Sequence, residues 1–244
     1  MKRILSVLAA VLLCLSLAAS CFADYYCGYS YQANETGVVI THHVENDGET
    51  YSEKGEVFIP SAFGAAYVTE IGESAFANHG AMQAAYLPYF VTKIGDGAFY
   101  GCSSMTFVNI PESVKEIGED AFADCSMLQS ISLPEGLESL GAYAFSGCSS
   151  LWKVRMRRGP EAIGDYTFSS CVKLETVSIP DTVRSIGEGA FYFCTSLKSV
   201  TVPASVEEIA DSAFDNCPNV VLTVEKGSYA ETWAGEHEIP VKTF

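Results

Sequence analysis

A single 23-residue period runs through most of the chain and limits what it can fold into. The string Ile-Gly-x-x-Ala-Phe returns seven times, with single departures at Leu140, Thr167 and Ala210; its first residue is Ile71, Ile94, Ile117, Leu140, Ile163, Ile186 and Ile209. Its Phe follows at Phe76, Phe99, Phe122, Phe145, Phe168, Phe191 and Phe214. Three residues later stands Cys102, Cys125, Cys148, Cys171, Cys194 or Cys217, with His79 in that place in the first turn. An apolar residue comes three further on, then an alternating pair such as Val108-x-Ile110 or Ile131-x-Leu133, closed in most turns by Pro. Seven turns without an insertion exclude chance. A unit this short cannot bury its own apolar face, so it must stack on copies of itself.

The spacing suggests how one turn is built. Leu-x-x-Val-x-Ile reads as a short strand with its apolar side chains inward. Pro ends it, because Pro cannot donate to a ladder. Gly-x-x-Ala-Phe turns the chain and places Phe in the middle of each coil. Successive strands then pair in parallel about 4.8 Å apart. Six cysteines at one phase form a column, one per coil. Facing inward, each acts as a small apolar group with a weak S–H donor for nearby backbone. Disulfides between adjacent coils are an alternative, though parallel side chains give poor torsion. Zinc is a poor fit, since no Cys-x-x-Cys occurs and a straight column cannot surround a metal. His79 reads as a polar packing substitute, and Cys27 as the one thiol outside the column.

The unit Leu-x-x-Val-x-Ile-Pro-x-x-Val-x-x-Ile-Gly-x-x-Ala-Phe-x-x-Cys resembles the BspA-type leucine-rich repeat found in bacterial and protist surface proteins. The likeness covers roughly residues 57–244, including a tail from Gly227 to Val241 similar to the family's terminal cap. It implies an α/β repeat solenoid, right-handed, with a parallel β-sheet on the concave face and capped ends. For function it implies adhesion to host protein, matrix or neighbouring cells.

The ends depart from the repeat. Lys2 and Arg3 precede an almost wholly apolar run over 4–19, the pattern of a secretory leader cleaved after Ala23. That run is short of the ~20 residues a membrane span needs. Processing as a lipoprotein at Cys21 is the rival, and would be the one route to a membrane; otherwise a released protein is expected. Residues 24–66 read as an N-terminal β cap, 67–224 as seven repeats and 225–244 as a C-terminal cap, with a short helix over Ser228 to Glu238. Asn34-Glu35-Thr36 matches a glycosylation sequon.

Charge narrows the function. The formal net charge is −16, from 14 Lys+Arg against 30 Asp+Glu. Without residues 1–23, which hold Lys2, Arg3 and no acid, 12 bases face 30 acids and the net charge is −18. Nucleic-acid binding needs a basic face and is excluded as a class. No nucleophile-elbow, zinc-protease or phosphate-loop string occurs, and no cofactor is expected. His42-His43 would point to opposite faces of a strand and reads as cap surface. The acids mostly fall in turns and read as a solvated face.

One coil breaks the acidic pattern. Trp152-Lys153-Val154-Arg155-Met156-Arg157-Arg158 holds four of the twelve remaining bases, and its Pro is displaced to Pro160. With Val154 and Met156 inward, Lys153, Arg155 and Arg157 would alternate onto the outward strand face. There they would be flanked by Trp152, by hydroxyls on one side, and by Phe107 and Tyr86 on the other. The expected function is non-enzymatic: an exported monomer that docks an acidic group of a protein or glycan partner. The alternatives are a structural spacer of the envelope and a glycan-acting enzyme. The last would need two carboxylates facing one groove.

Overall fold

The computed structural model describes residues 23–26, 29–43 and 55–244. The expected leader lies in 1–22 apart from its last residue, so that expectation falls outside the described residues, as do Cys21 and Cys27. The chain opens with an antiparallel meander of β1 (Ala23–Tyr26), β2 (Tyr29–Ala33) and β3 (Val38–His43). Asn34 Oδ1 accepts the Thr36 and Gly37 amides at 2.9 and 2.8 Å and so builds the β2–β3 turn. Next come β4 (Glu56–Phe58), β5 (Ala62–Phe63) and β6 (Ala66–Ile71). Val57 to Ala85 spans 28 residues where Ala85 to Val108 spans 23, and the antiparallel β5–β6 hairpin takes up the excess.

From there each coil contributes two strands. They are β7 (Ala84–Tyr86) and β8 (Lys93–Ile94), β9 (Phe107–Asn109) and β10 (Glu116–Ile117), β11 (Ser130–Ser132) and β12 (Ser139–Leu140). β13 (Lys153–Arg155) and β14 (Ala162–Ile163), β15 (Thr176–Ser178) and β16 (Ser185–Ile186), and β17 (Ser199–Val202) and β18 (Glu208–Ile209) follow. β19 (Val221–Val224), helix α1 (Tyr229–Glu236) and β20 (Val241–Thr243) end the chain.

The odd-numbered strands from β7 follow the expected parallel order, with partners 23 residues apart, in two sheets that divide between β9 and β11. β4 adds a rung at one end and β19 and β20 at the other. Ser199 pairs with Val221, one residue short of the period, so the last coil is shortened. The short even-numbered strands form a second parallel ladder, which β3 and β6 extend. The Ile of Ile-Gly therefore lies in a strand that the sequence reading did not assign. The α/β expectation is corrected. The molecule is a β-solenoid of about eight turns, and α1 is its one helix among the described residues.

Gly follows the Ile because neighbouring coils touch there. A Cβ on Gly141 would lie 2.4 Å from the Glu119 amide nitrogen. A single file of rings runs through the middle of an otherwise mainly aliphatic core. From Phe76 to Phe214 successive Phe rings stack with centroids 5.1–5.7 Å apart and interplanar angles of 1–13°. His43 covers the first ring at 5.1 Å and Trp233 of α1 meets the last at 6.0 Å. α1 starts where a Ser-x-x-Glu string requires it: Ser228 is the N-cap, and its Oγ accepts the Glu231 amide at 3.3 Å.

The cysteine column is a column of thiol donors. Each Sγ–H donates to the carbonyl of the Phe 26 residues earlier, from Cys102 to Phe76 at 3.1 Å through to Cys217 to Phe191 at 3.0 Å. All six are buried free thiols, which answers the disulfide alternative. His79 holds the same place in the first coil, as expected, and its Nε2 lies 2.8 Å from His43 Nδ1. That pair corrects the reading of His43 as cap surface, since both rings are buried. Thr41 is an extra residue between the pairs Ser30–His42 and Tyr31–Ile40. This bulge turns His43 inward and leaves His42 exposed.

Two positions per turn lie at positive φ. One holds Ser74, Gly97, Asp120, Tyr143, Tyr166 and Gly189; the other includes Asn78, Gly101, Gly147, Phe193 and Asn216. Small and turn-forming residues suit this region, whereas a bulky side chain costs about 1–2 kcal/mol there. Phe193, at φ 57 and exposed, is the clearest misfit. Phe193→Asn should therefore leave the midpoint of thermal unfolding unchanged or raise it by a few degrees.

Candidate functional site

The outward side of the first ladder carries two rows of side chains. One runs Ala84, Phe107, Ser130, Lys153, Thr176, Ser199, and the other runs Tyr86, Asn109, Ser132, Arg155, Ser178, Thr201. Alternation along each short strand sends Val108, Ile131, Val154 and Val177 into the core and leaves these side chains out, except at β7, where Ala84 is buried as well. Lys153 and Arg155 share β13 and point the same way, exposed on either side of buried Val154. Neither has an ion-pair partner among the described residues. Trp152 is half exposed and lies under Lys153, whose Nζ is 5.6 Å from the ring centroid.

Arg157 keeps the expected alternation in burial, exposed beyond buried Met156, but it does not join them on the strand. β13 stops at Arg155, and Arg157 sits beyond it in a bend, where its guanidinium meets Glu135 of the preceding coil at 3.2 Å. The strand end itself is the common one, since β11 and β15 end at the same phase at Ser132 and Ser178; what differs in this coil is the Pro. Pro160 takes the buried place that Leu137 and Val183 hold 23 residues away on either side, and Arg157 takes the place of a strand-ending Pro. Those neighbours close a turn with a backbone bond, Leu137 N to Pro134 O and Val183 N to Pro180 O, which Pro160 has no N–H to make. The second ladder also breaks at this coil, between β12 and β14.

Phe107 and Tyr86 lie on the same outward side but at a distance. One coil, bearing Ser130 and Ser132, separates Phe107 from Lys153. Tyr86 is half-buried because Phe58, which the sequence reading passed over, stacks on it at 4.5 Å and 3°. Phe107 continues the group at 5.7 Å from Tyr86. Phe58 was findable: Val57-Phe58-Ile59-Pro60 has the strand ending of the repeat, which puts Phe58 outward. The face thus has an aromatic end, a hydroxyl middle and a basic coil. Some of the other bases are paired across coils, as in Lys93–Glu116 at 3.5 Å and Lys198–Glu175 at 3.2 Å.

The repeat geometry carries a recognisable family model. The model described as the BspA type leucine-rich repeat region matches six copies, over residues 69–174 and 161–227. The chain belongs to the BspA-type leucine-rich repeat family. Among solved structures it is similar to a T. pallidum leucine-rich repeat protein, at 27% identity and a TM-score of 0.60, covering 83% of this chain and 81% of that one. The pneumococcal vaccine antigen PcpA shares the fold at 18% identity and a TM-score of 0.63, covering 86% of this chain and 65% of that one. No curated protein matches. Proteins of the BspA type are built on a scaffold that typically serves protein interaction, and the site must supply the particular function.

Proposed function

We propose that this BspA-type chain is an exported or cell-surface protein that binds another macromolecule through the outward, concave side of its first strand ladder. An acidic group of a protein or glycan would dock at Lys153 and Arg155. The observation that carries the reading is the pair itself. In a chain of net charge −16, two exposed cations stand side by side on one strand, without a carboxylate partner among the described residues. Arg suits planar oxyanions, and the Trp152 ring holds the Lys153 ammonium beside it. The aromatic group of Phe58, Tyr86 and Phe107 would extend the contact. Family membership supports the surface location, and no helix among the described residues is long and apolar enough to cross a membrane. The reading is non-catalytic, because the two outward rows from β7 to β17 present hydroxyls, aromatics, an amide and two cations where a glycosidase needs paired carboxylates.

The test is capture of matrix proteins and sulfated or sialylated glycans by the purified protein and by a Lys153→Ser, Arg155→Ser, Arg157→Ser variant. Binding should weaken with added salt and fall at least tenfold in the variant, about 1.4 kcal/mol. Arg157→Ser alone should have little effect, because Arg157 already faces Glu135. Unchanged binding by the triple variant would sink the proposal and favour a spacer role.

A further inference from the structure

A second surface, sharing no residue with the strand face, lies along the turns that carry the Phe file. The seven segments from the Gly position to the Cys position hold nine carboxylates and no Lys or Arg: Glu73, Asp96, Glu119, Asp120, Asp124, Asp165, Glu188, Asp211 and Asp215. On the ladders, by contrast, acids meet bases across coils. Among the described residues only Asp211 of the nine has an ion-pair partner, His237.

Aromatic rings run through this acidic edge. Tyr143 stacks on Tyr166 with centroids 5.0 Å apart and planes at 5°. Tyr192 meets Tyr166 edge-on at 6.4 Å, and Phe193 lies 6.2 Å from Tyr192. Tyr143, Tyr192 and Phe193 are each more than a third exposed. The strip is built into the coils. A Cβ on Gly189 would come within 2.3 Å of Tyr166 Cε1, so the Tyr166 ring rests in a recess that only Gly leaves open. The Asp165 carboxylate is held at the strip, its Oδ1 accepting the Glu188 amide at 2.8 Å. Close packing against its neighbours, together with Tyr166, Asp165, Asp120 and Glu119, pushes the Tyr143 hydroxyl above its ordinary range. At its far end the strip opens into a hollow of about 440 Å³ lined by Phe193, Asp211, Asp215 and His237 among others.

We infer that this turn edge is a docking strip for a cationic, Lys- or Arg-rich extended segment of a partner protein. The exposed rings of Tyr143, Tyr192 and Phe193 offer π surface to guanidinium or ammonium groups, and the flanking carboxylates supply the opposite charge. A neutral glycan could also stack on the rings but would gain nothing from the eight acids that have no ion-pair partner among the described residues.

The test measures binding of a labelled oligo-arginine peptide to the purified protein, with an oligo-glutamate peptide and a neutral chito-oligosaccharide as controls. One variant is Tyr143→Gly, Tyr166→Gly, Phe193→Gly. It leaves the net charge unchanged and places Gly where neighbouring coils already use Gly97, Gly101, Gly147 and Gly189 at positive φ, so folding is kept. It should lower arginine-peptide affinity at least tenfold, the effect of losing about three weak cation–π contacts. A second variant, Asp165→Asn and Glu188→Gln, keeps the Asp165 acceptor atom and should weaken binding and flatten its salt dependence. Wild-type affinity in the Gly variant would overturn the inference, reducing the attraction to bulk charge. Saturation by the chito-oligosaccharide with no peptide binding would also overturn it and assign the strip to glycan.

Discussion

Phe145→Ala should destabilise the protein by about 4 kcal/mol or more and lower its unfolding midpoint by roughly 8–16 °C. Phe145 is fully buried in the middle of the file, stacked on Phe122 at 5.3 Å and on Phe168 at 5.6 Å. Truncation leaves a cavity between two rings fixed by their own coils. It also removes two aromatic pairs worth about 0.5–1.5 kcal/mol each beyond burial. Phe214→Ala should cost less, because Phe214 has one Phe neighbour and a looser contact with Trp233. In a stack where each coil touches only its neighbours, a gap in the middle also splits the array. Phe145→Ala should therefore broaden the thermal transition as well as lower it. A narrow transition with a loss under about 1 kcal/mol would show that the file is not the centre of the core.

Alkali should unfold the protein through the cysteine column. Burial pushes the Cys148 and Cys171 thiols well above their ordinary range; the charge of Cys171 adds to the effect at Cys148, and backbone contacts oppose it at both. Folded thiols therefore keep their protons where unfolded thiols, ionising near pH 8.5, have lost them. The unfolded state binds fewer protons, so stability falls as pH rises. It is fully present below about pH 8.5 and is lost toward the raised folded values. Each thiol contributes about 1.4 kcal/mol per pH unit, so these two alone give a slope of about 2.7 kcal/mol per unit. Urea unfolding from pH 7 to 10 measures it. A Cys148→Ala, Cys171→Ala variant should be less stable at pH 7 yet flatter with pH. Equal slopes in the two proteins would show that these thiols are not the titrating groups.

The period was legible because every coil repeats it in the same phase, down to the Phe file and the thiol column. The second ladder was not, because strands of two residues such as Glu116–Ile117 are too short to show alternation. His43 was misplaced because a bulge at Thr41 reverses the faces of β3, and the sequence marks no bulge there. Arg157 keeps the predicted alternation in burial but lies off the strand, because β13 ends at Arg155 just as β11 and β15 end at Ser132 and Ser178. Lys153 and Arg155 lie where alternation put them. The turn-edge strip left a trace, since Tyr143 and Tyr166 occupy a phase given elsewhere to Gly97, Gly189, Ser74 and Asp120. Its significance depends on positive φ, which spacing alone does not reveal.

The 23-residue coil as the stacking unit can be tested by removing one. A variant lacking residues 164–186 joins Ile163 to Gly187 and loses one coil, with Cys171, while every other residue keeps its phase. Counting thiols protected from an alkylating reagent under native conditions reads the outcome. The structure predicts that Cys102, Cys125, Cys148, Cys194 and Cys217 stay protected, as they are in the buried column of the full chain. A variant lacking only 164–183 breaks the phase and should lose protection from the junction onward. Full reactivity after the in-phase deletion, or equal protection after both, would contradict the account.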